Sequence, residues 1–300
     1  MAADGGQGDD SVRVAPVIEH RLLPYGYLNG HFARTTEFRI SPLDRGFLFG
    51  DAITETLLAV GLRPFALNAH LDSLGQALTR LGLEDPYPPE QWASMLANML
   101  ETNDKNLCHV HIAISRGPGS LSRSVVTPRR QTVLLYCTAP NDELGKPVTG
   151  WIVDERRGSL ERVGNAKLWM ELLARHEAQT HGADECLFVA DGGVTEGAGA
   201  HVFAVLDDFV VTPPLGPSVS DGIYRTLVRE VVESMGLAIV EAEISQARLD
   251  DASEVWLVGA LHAIRPVVRL NDRAIGRGEP GPVWRKAQAR FDELTGAPAA

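Results

Sequence analysis

Five side chains in the second half of this 300-residue sequence have the chemistry of a reaction centre. Lys167 lies in the stretch ERVGNAKLWM, directly before a predicted helix, and a lysine amine can bond covalently to a carbonyl group. Glu196, in VTEG, and the nearby His201 can transfer protons, and histidine titrates near neutral pH. Tyr224 and Arg225, in DGIYR, offer a hydroxyl group and a cation that could bind a carboxylate.

Each of these residues also has an ordinary structural explanation. Lys167 could face solvent at the start of its helix, and Glu196 could be a residue of a turn at a strand end. His201 could pack in the core. Arg225, like Arg45 in LDRG, could form an ion pair that holds a loop or a helix start instead of binding substrate.

The first half of the chain predicts an α/β unit that would form one side of a site. YGYLNGHF has the Asn-Gly signal of a β-hairpin, and DAITETLLAVGLRPFAL predicts two strands around Gly61. NAHLDSLGQALTRLGL and PEQWASMLANMLETN have the apolar spacing of helices, and CHVHIAISRG and TVLLYCTAP are typical of strands. We therefore predict a disordered tail over residues 1–19 and a small N-terminal domain over residues 20–138.

The second half predicts a larger α/β domain over residues 149–300, joined by a polar linker over residues 139–148. Helices are predicted for KLWMELLARHEAQTHG, GIYRTLVREVVESMG and GPVWRKAQARFDELTG, between strands of mixed order. The predicted fold class is thus α/β (α+β), with two domains and a cleft between them.

Composition excludes several classes of function. The net charge of −11 and the lack of a basic patch argue against nucleic-acid binding. The three scattered cysteines predict buried thiols, and neither a disulfide framework nor a metal site. No apolar run reaches the length of a membrane span, and the N-terminus lacks the apolar segment of a signal peptide, so we expect a cytoplasmic protein.

The order of several short motifs resembles one enzyme family over about residues 25–290. The motifs are YLNG, SPLDRGFLFGDAITET, ISRGPG, GADECLFVADGGVTEGAGAHVFAV, TPP, DGIYRTLV, ASEVWLVGAL and IRPVVRLNDRAIGRGEPGPV. Together they are similar to the class IV aminotransferases, which are fold-type IV pyridoxal phosphate (PLP) enzymes and include branched-chain and D-amino-acid aminotransferases and aminodeoxychorismate lyase. The resemblance implies two α/β domains, a cofactor cleft between them and a homodimer.

The resemblance assigns roles to some residues and raises a conflict at others. Glu196 matches the carboxylate that faces the pyridine nitrogen of PLP. The register of the downstream helix places Gly164 at the position of the PLP-binding lysine, and Lys167 three residues later. Glycine cannot bind PLP covalently, but one helical turn moves the backbone by only about 5 Å, so Lys167 could still reach the cleft.

The expected phosphate ligands are also replaced. Where the family has an arginine and two threonines, this chain has Ser73, Tyr224 and Leu261. The arginine that would bind the substrate carboxylate falls at Leu121, with Arg123 close by. Because a phosphate group needs cationic or N–H donors, and because Tyr224 and Leu261 are bulky, these replacements predict a cleft without a cofactor.

Three hypotheses follow. The first is a PLP-independent lyase acting on a small chorismate-like carboxylate. Glu196 or His201 would move the proton, and the carboxylates would be bound by Lys167, Arg225, Tyr224, Arg123 and Arg45. The second is a conventional PLP-dependent aminotransferase or aminodeoxychorismate lyase that uses Lys167. The third is a non-catalytic protein that binds a metabolite or a partner.

Overall fold

The computed structural model describes residues 21–120, 130–140, 145–154, 165–261 and 263–296, and the statements below concern those residues. The strands are β1 (Tyr25–Leu28), β2 (His31–Arg34), β3 (Ala52–Val60), β4 (Arg63–Pro64), β5 (Leu107–Ser115), β6 (Thr132–Thr138), β7 (Val148–Asp154), β8 (Glu185–Ala190), β9 (Gly193–Gly197), β10 (Ala200–Leu206), β11 (Phe209–Thr212), β12 (Ile239–Glu241), β13 (Glu254–Gly259), β14 (Ala263–Leu270) and β15 (Arg273–Ala274). The helices are α1 (Arg45–Phe49), α2 (Leu67–Arg80), α3 (Pro89–Asn103), α4 (Asn165–Thr180), α5 (Ile223–Ser234), α6 (Gln246–Asp250) and α7 (Pro282–Thr295), with a short 3₁₀ helix over Thr35–Glu37.

The first six strands form an antiparallel sheet in the order β2-β1-β6-β5-β3-β4. The predicted hairpin joins β1 and β2, and Asn29 and Gly30 turn the chain with φ angles of 52° and 92°. Helices α2 and α3 cover one face of this sheet, because their apolar stripes pack on its buried side chains. That core includes Ile53, Leu57, Leu71, Leu74, Leu78, Trp92, Leu96, Met99, Val110, Ile112 and Leu135.

The other nine strands form a second sheet, and six of them close into a barrel. β9 pairs with both β8 and β10, which completes the ring β10-β13-β14-β7-β8-β9. The sheet is mixed, since β14–β7, β7–β8 and β11–β12 are parallel pairs. Apolar side chains, most of them small or β-branched, fill the barrel interior, among them Val148, Val189, Val202, Ala204, Val255, Leu257 and Val267. Helices α5 and α7 pack outside on β10, β13 and β14.

The predicted α/β fold class is confirmed, and the predicted long helices correspond to α2, α3, α4, α5 and α7. The short helices α1 and α6 and the barrel closure through β9 were not predicted. The domain bounds at residues 138 and 149 stay a prediction, although the end of β6 and the start of β7 agree with them. The predicted tail lies outside the described residues. Within the described residues, no helix is both long and apolar enough to cross a membrane.

Two histidines lie on the same face of β5, where His109 is fully buried and His111 is partly buried. Burial lowers the pKa of His109 to about 4, and burial together with the nearby His109 lowers the pKa of His111 to about 4. His111 lies between two hydroxyl groups, with Nδ1 3.2 Å from Thr56 Oγ1 and Nε2 2.9 Å from Thr138 Oγ1. Both rings are therefore neutral in the folded protein at pH 7.

This burial predicts a loss of stability on acidification. Below the ordinary histidine pKa of about 6.5 the unfolded chain gains protons that the folded chain does not bind until pH 4, so the free energy of unfolding falls as pH falls. We expect each ring to account for roughly 2 kcal/mol of the loss between pH 7.5 and pH 5. Urea titrations at both pH values should show this loss, and His111→Gln should remove about half of it. The exposed His31→Gln is the matched control; if both variants behave alike, the explanation is wrong.

Candidate active site

A large cavity lies between the small sheet and the barrel. Its volume is about 850 Å³. Strand β3 and helix α2 form one wall, while α4, the β9–β10 hairpin, the turn after β13 and the beginning of α5 form the other. Glu196, His201, Tyr224 and Ser73 line this cavity, so the structure brings four of the predicted residues together.

Glu196 and His201 face each other across the β9–β10 hairpin. They are directly opposed in the strand register, so both side chains lie on the same face of the sheet. His201 Nδ1 is 3.7 Å from Glu196 Oε1. Ser220 donates two hydrogen bonds to the same Oε1, one from Oγ and one from its backbone N at 2.6 Å. Glu196 is only 3% exposed, and these hydrogen bonds hold its carboxylate at the cavity wall.

The turns around this pair require glycine. Gly199 has a φ of +67°, and a Cβ there would lie 3.3 Å from Glu171 Oε2. Gly222, the residue before α5, has extended backbone that any residue can adopt, but a Cβ there would overlap the ring of His201. The position of the imidazole therefore depends on the absence of a side chain at residue 222.

Gly222→Ala is expected to impair catalysis without unfolding the protein. The added methyl group must push the His201 ring away from its place beside Glu196, and a misplacement of about 1 Å in an active site can cost up to about 100-fold in rate. We expect kcat/KM to fall by roughly tenfold or more while the melting temperature changes little. The matched test repeats Gly222→Ala in a His201→Ala background, where the ring that the added methyl group would displace is absent. Gly222→Ala should then have no further effect, and an additive effect would contradict this account.

Lys167 is the third residue of α4, one helical turn before a residue of the cavity wall. That residue is Glu171, which lies four positions further along, is 9% exposed and lines the cavity. Residues spaced by four share one face of a helix, about 6 Å apart along its axis. The backbone of Lys167 is thus close to the cavity. Gly164, the position that the register favours for the lysine, lies outside the described residues.

The two arginines predicted to bind substrate have structural roles instead. Arg225 is 1% exposed and bonds to Thr212 Oγ1 and to the Pro213 carbonyl oxygen, both at 2.8 Å, and it pairs with Glu241. Arg45 pairs with Asp51 at 2.8 Å and donates to the Ser120 carbonyl oxygen. Among the described residues neither arginine lines the cavity, so the ion-pair alternative is favoured for both. Arg123 and Leu121 lie outside the described residues.

The residues that stand in place of the phosphate ligands obstruct the cavity less than the sequence predicted. Leu261 is 45% exposed and is absent from the described cavity wall. The Tyr224 hydroxyl accepts a hydrogen bond from the backbone N of Leu58 at 3.2 Å, so its ring lies against the small sheet. Burial raises the pKa of Tyr224 to about 12, which makes it a poor proton donor near neutral pH. Ser73 Oγ donates to Glu55 Oε2 at 3.3 Å.

Two cavity residues were missed as functional candidates. Neither Glu55 nor His70 was among the predicted site residues. His70 Nδ1 is 2.7 Å from Glu55 Oε1, and both residues line the cavity. A glutamate in the middle of the apolar strand ITETLLAV was the available signal, because an acidic side chain on the helix-covered face of a strand needs a partner.

Comparisons with known proteins identify the family of this chain. The sequence profile of the amino-transferase class IV family matches residues 52–270, which is more than half of the chain. The protein is a member of the class IV amino-transferase family. A D-alanine aminotransferase of Staphylococcus aureus (strain N315) is 25% identical over 271 residues, which cover 89% of this chain and 96% of that protein.

Solved structures of class IV members share the fold. A branched-chain amino acid aminotransferase from T.th., solved with pyridoxamine 5′-phosphate, matches with a TM-score of 0.82 and 22% identity, over 92% of this chain and 95% of that one. A putative 4-amino-4-deoxychorismate lyase from Legionella pneumophila matches with a TM-score of 0.78 and 21% identity, over 86% and 96%. The predicted resemblance and the prediction of a class IV enzyme are confirmed.

Family membership overturns one prediction. The predicted absence of a cofactor is wrong, because the chain belongs to the class IV amino-transferases and a member with the same fold was solved with pyridoxamine 5′-phosphate. The argument failed in part because it assumed that Leu261 and Tyr224 fill the cavity. Leu261 is exposed outside the described cavity wall, and the ring of Tyr224 packs against the small sheet.

Proposed function

We propose that this protein is a PLP-dependent aminotransferase and that Lys167 is the lysine that binds the cofactor. The observation that carries the proposal is the position of Lys167 among the four lysines of the chain. Lys105, Lys146 and Lys286 are exposed, and none of them lines the cavity. Lys167 lies one helical turn before the cavity-lining Glu171, so it is the lysine best placed to reach the cleft.

Two further features of the cavity fit PLP. The buried Glu196 carboxylate, fixed by Ser220, offers a negative charge that would keep a pyridine nitrogen protonated. The N-terminus of α5 opens on the same cavity and has no side-chain cap. Its free N–H groups and the positive end of the helix dipole would bind a phosphate group. They could take over part of the role of the missing threonine and arginine ligands.

The chain's own residues then have separable tasks. Lys167 binds the cofactor and its Nζ carries the proton to and from the substrate carbon. Glu196 would place a negative charge at the end of the site that faces the pyridine nitrogen. His201, whose Nδ1 lies 3.7 Å from Glu196 Oε1, would help to position this carboxylate. When bound, PLP supplies the electron sink that stabilises the carbanion formed at that carbon.

The direct test is chemical trapping. The purified protein is incubated with PLP, reduced with borohydride, digested and analysed by mass spectrometry. The pyridoxyl group should be found on the peptide containing Lys167 and not on those containing Lys105, Lys146 or Lys286. Attachment at another lysine, or no attachment under conditions that label a known class IV aminotransferase, would disprove the proposal.

The predictions of the substrate, the homodimer and the cellular location stay proposals. A chorismate-like substrate is not favoured by the site, because Arg225 and Arg45 are engaged elsewhere. The predicted homodimer is supported by exposed apolar side chains that a second copy would bury, such as Phe47 on α1 and Trp169 on α4. A cytoplasmic location also remains a prediction.

A further inference from the structure

We propose that the outward edge of β3, formed by the backbone of Thr54 and Thr56, binds a carboxamide group at Thr56. The preferred substrate would then be an amino acid whose side chain ends in an amide. The statement about substrate rests on the proposed aminotransferase function, but binding of a carboxamide to this edge does not.

The hydrogen bonds just beyond the two ends of β3 show which of its backbone groups point away from β5. At one end Arg116 N donates to the Asp51 carbonyl oxygen at 3.1 Å. At the other end Gly61 N donates to the Asn106 carbonyl oxygen at 2.8 Å. The register between β3 and β5 is continuous from end to end, and bonding alternates along an antiparallel pair. Odd-numbered residues of β3 therefore bond to β5, and even-numbered residues face outward.

Two of the outward-facing residues keep free backbone groups. Those of Leu58 are occupied, because its N–H donates to Tyr224 Oη at 3.2 Å and its carbonyl oxygen accepts from Phe65 N at 2.7 Å. Strand β4 pairs with the last two residues of β3. Thr56 and Thr54 come before these positions and both line the cavity. Among the described residues, no backbone or side-chain group bonds to their outward N–H and C=O groups.

The outward N–H and C=O groups of one residue match a carboxamide. In an antiparallel pair a residue uses these two neighbouring groups to exchange two hydrogen bonds with one partner. A primary carboxamide offers an acceptor and donors in one plane, so it can form both bonds at once, whereas an ionised carboxylate only accepts. Thr56 is the better site because it is half-buried, while water can satisfy the groups of the exposed Thr54.

This part of the edge is separate from the positions that the family resemblance gives to the phosphate ligands. Tyr224, at one of those positions, contacts the edge at Leu58. Thr56 lies two residues further along the strand, which is about 7 Å. Helix α4, which carries Lys167, also contacts β3, so the edge and the proposed cofactor lysine border one cleft. Because the edge is uncharged, it can bind a substrate amide beside an anionic cofactor.

Calorimetric titration of the PLP-treated full chain tests the inference with unreactive acids of similar size. The ligands are 4-carbamoylbutanoate, which is glutamine without its amino group, monomethyl glutarate, which lacks the N–H donor, and 5-methylhexanoate, which lacks both polar groups. The carboxamide should bind with a stoichiometry of one and about tenfold or more tightly than either of the others, since two hydrogen bonds are worth this much. In activity assays, glutamine should exceed its isopropyl analogue 2-amino-5-methylhexanoate in kcat/KM by a similar factor, with both configurations tested.

Three variants locate the site. Thr56→Pro removes the outward N–H but no bond of the ladder to β5, and it should abolish the preference for the carboxamide. Thr56→Ala removes only the hydroxyl group, which lies 3.2 Å from His111 Nδ1, and should keep the preference. Thr54→Pro makes the same backbone change at the exposed position and is the matched control, which should also keep it.

The outcomes separate this inference from the proposed function. If the carboxamide is preferred but Lys167 is not labelled by PLP, the edge site stands and the aminotransferase assignment fails. If Lys167 is labelled but the ester or 5-methylhexanoate binds as tightly as the carboxamide, the inference is overturned and the proposed function stands. Loss of the preference in Thr56→Ala or Thr54→Pro, or its retention in Thr56→Pro, also overturns the inference. Circular dichroism checks the fold of each variant, and the three ligands on the wild type decide the question if Thr56→Pro does not fold.

Discussion

Lys167→Ala is expected to lower transamination by about 10²–10⁴-fold, from the loss of proton transfer alone. In the proposed site, Nζ of Lys167 both binds the cofactor and carries the proton, and none of the other three lysines lines the described wall of the cavity. The variant should fold normally, because the residue lies in the first turn of α4, where alanine is a better helix former than lysine. Single-turnover kinetics with an amino donor measure the effect on the chemical step.

Two additions make this prediction specific. Lys146→Ala, at an exposed position away from the cavity, should retain wild-type activity. Added methylamine should restore part of the activity of Lys167→Ala, because a small amine can occupy the vacated space and transfer the proton. If Lys167→Ala loses less than about tenfold of the wild-type rate, the lysine does not perform this chemistry.

Asp51→Ala is expected to cause the largest loss of stability among the changes considered. The Asp51 carboxylate, 13% exposed, accepts at one oxygen from Arg45 Nε at 2.8 Å and from Arg116 Nε at 2.9 Å. Burial raises its pKa, but the hydrogen bonds from Arg116 and Arg45 outweigh burial and hold the pKa below its usual value. Removing it takes a shared carboxylate away from two buried guanidinium groups, and breaking a buried ion pair typically costs about 3–5 kcal/mol.

That cost is large relative to the roughly 5–15 kcal/mol by which most domains are stable. Urea unfolding followed by fluorescence should therefore show a markedly earlier first transition for Asp51→Ala. Asp272→Ala is the matched control, because Asp272 is 95% exposed and lies 3.7 Å from a well-solvated Arg269. An exposed ion pair contributes little to stability, so Asp272→Ala should change the free energy of unfolding very little. Equal effects for the two variants would contradict the assigned role of Asp51.

The helices and the first hairpin could be predicted because their signals are local. The leucines of α2 repeat at helical spacing, and Asn29-Gly30 supplies the positive φ angles that a tight hairpin requires. The pairing of Glu196 with His201 could also have been predicted, since VTEGAGAH places them on either side of a glycine turn. The order of motifs along the chain led to the family, which the profile match confirmed.

The partners of buried charges could not be predicted, because they come from distant parts of the chain. Arg225 donates a hydrogen bond to Thr212 and pairs with Glu241, which lie on strands that its own helix covers. No sequence pattern predicts these contacts. His70 meets Glu55 only when α2 packs on β3. The cofactor prediction failed for the same reason. Residue types at Tyr224 and Leu261 were known from the sequence, but the directions of their side chains were not.

The closed ring of barrel strands affects the order in which the two sheets can fold during synthesis. β7 pairs in parallel with β14, and Val148 lies opposite Val267, far along the chain. The first sheet uses only residues before 139 and can pair while the rest is still being made. The barrel has to wait for β14, so its apolar strands β8 to β10 leave the ribosome before their enclosing partner exists. During that interval the exposed apolar strands can associate with other chains.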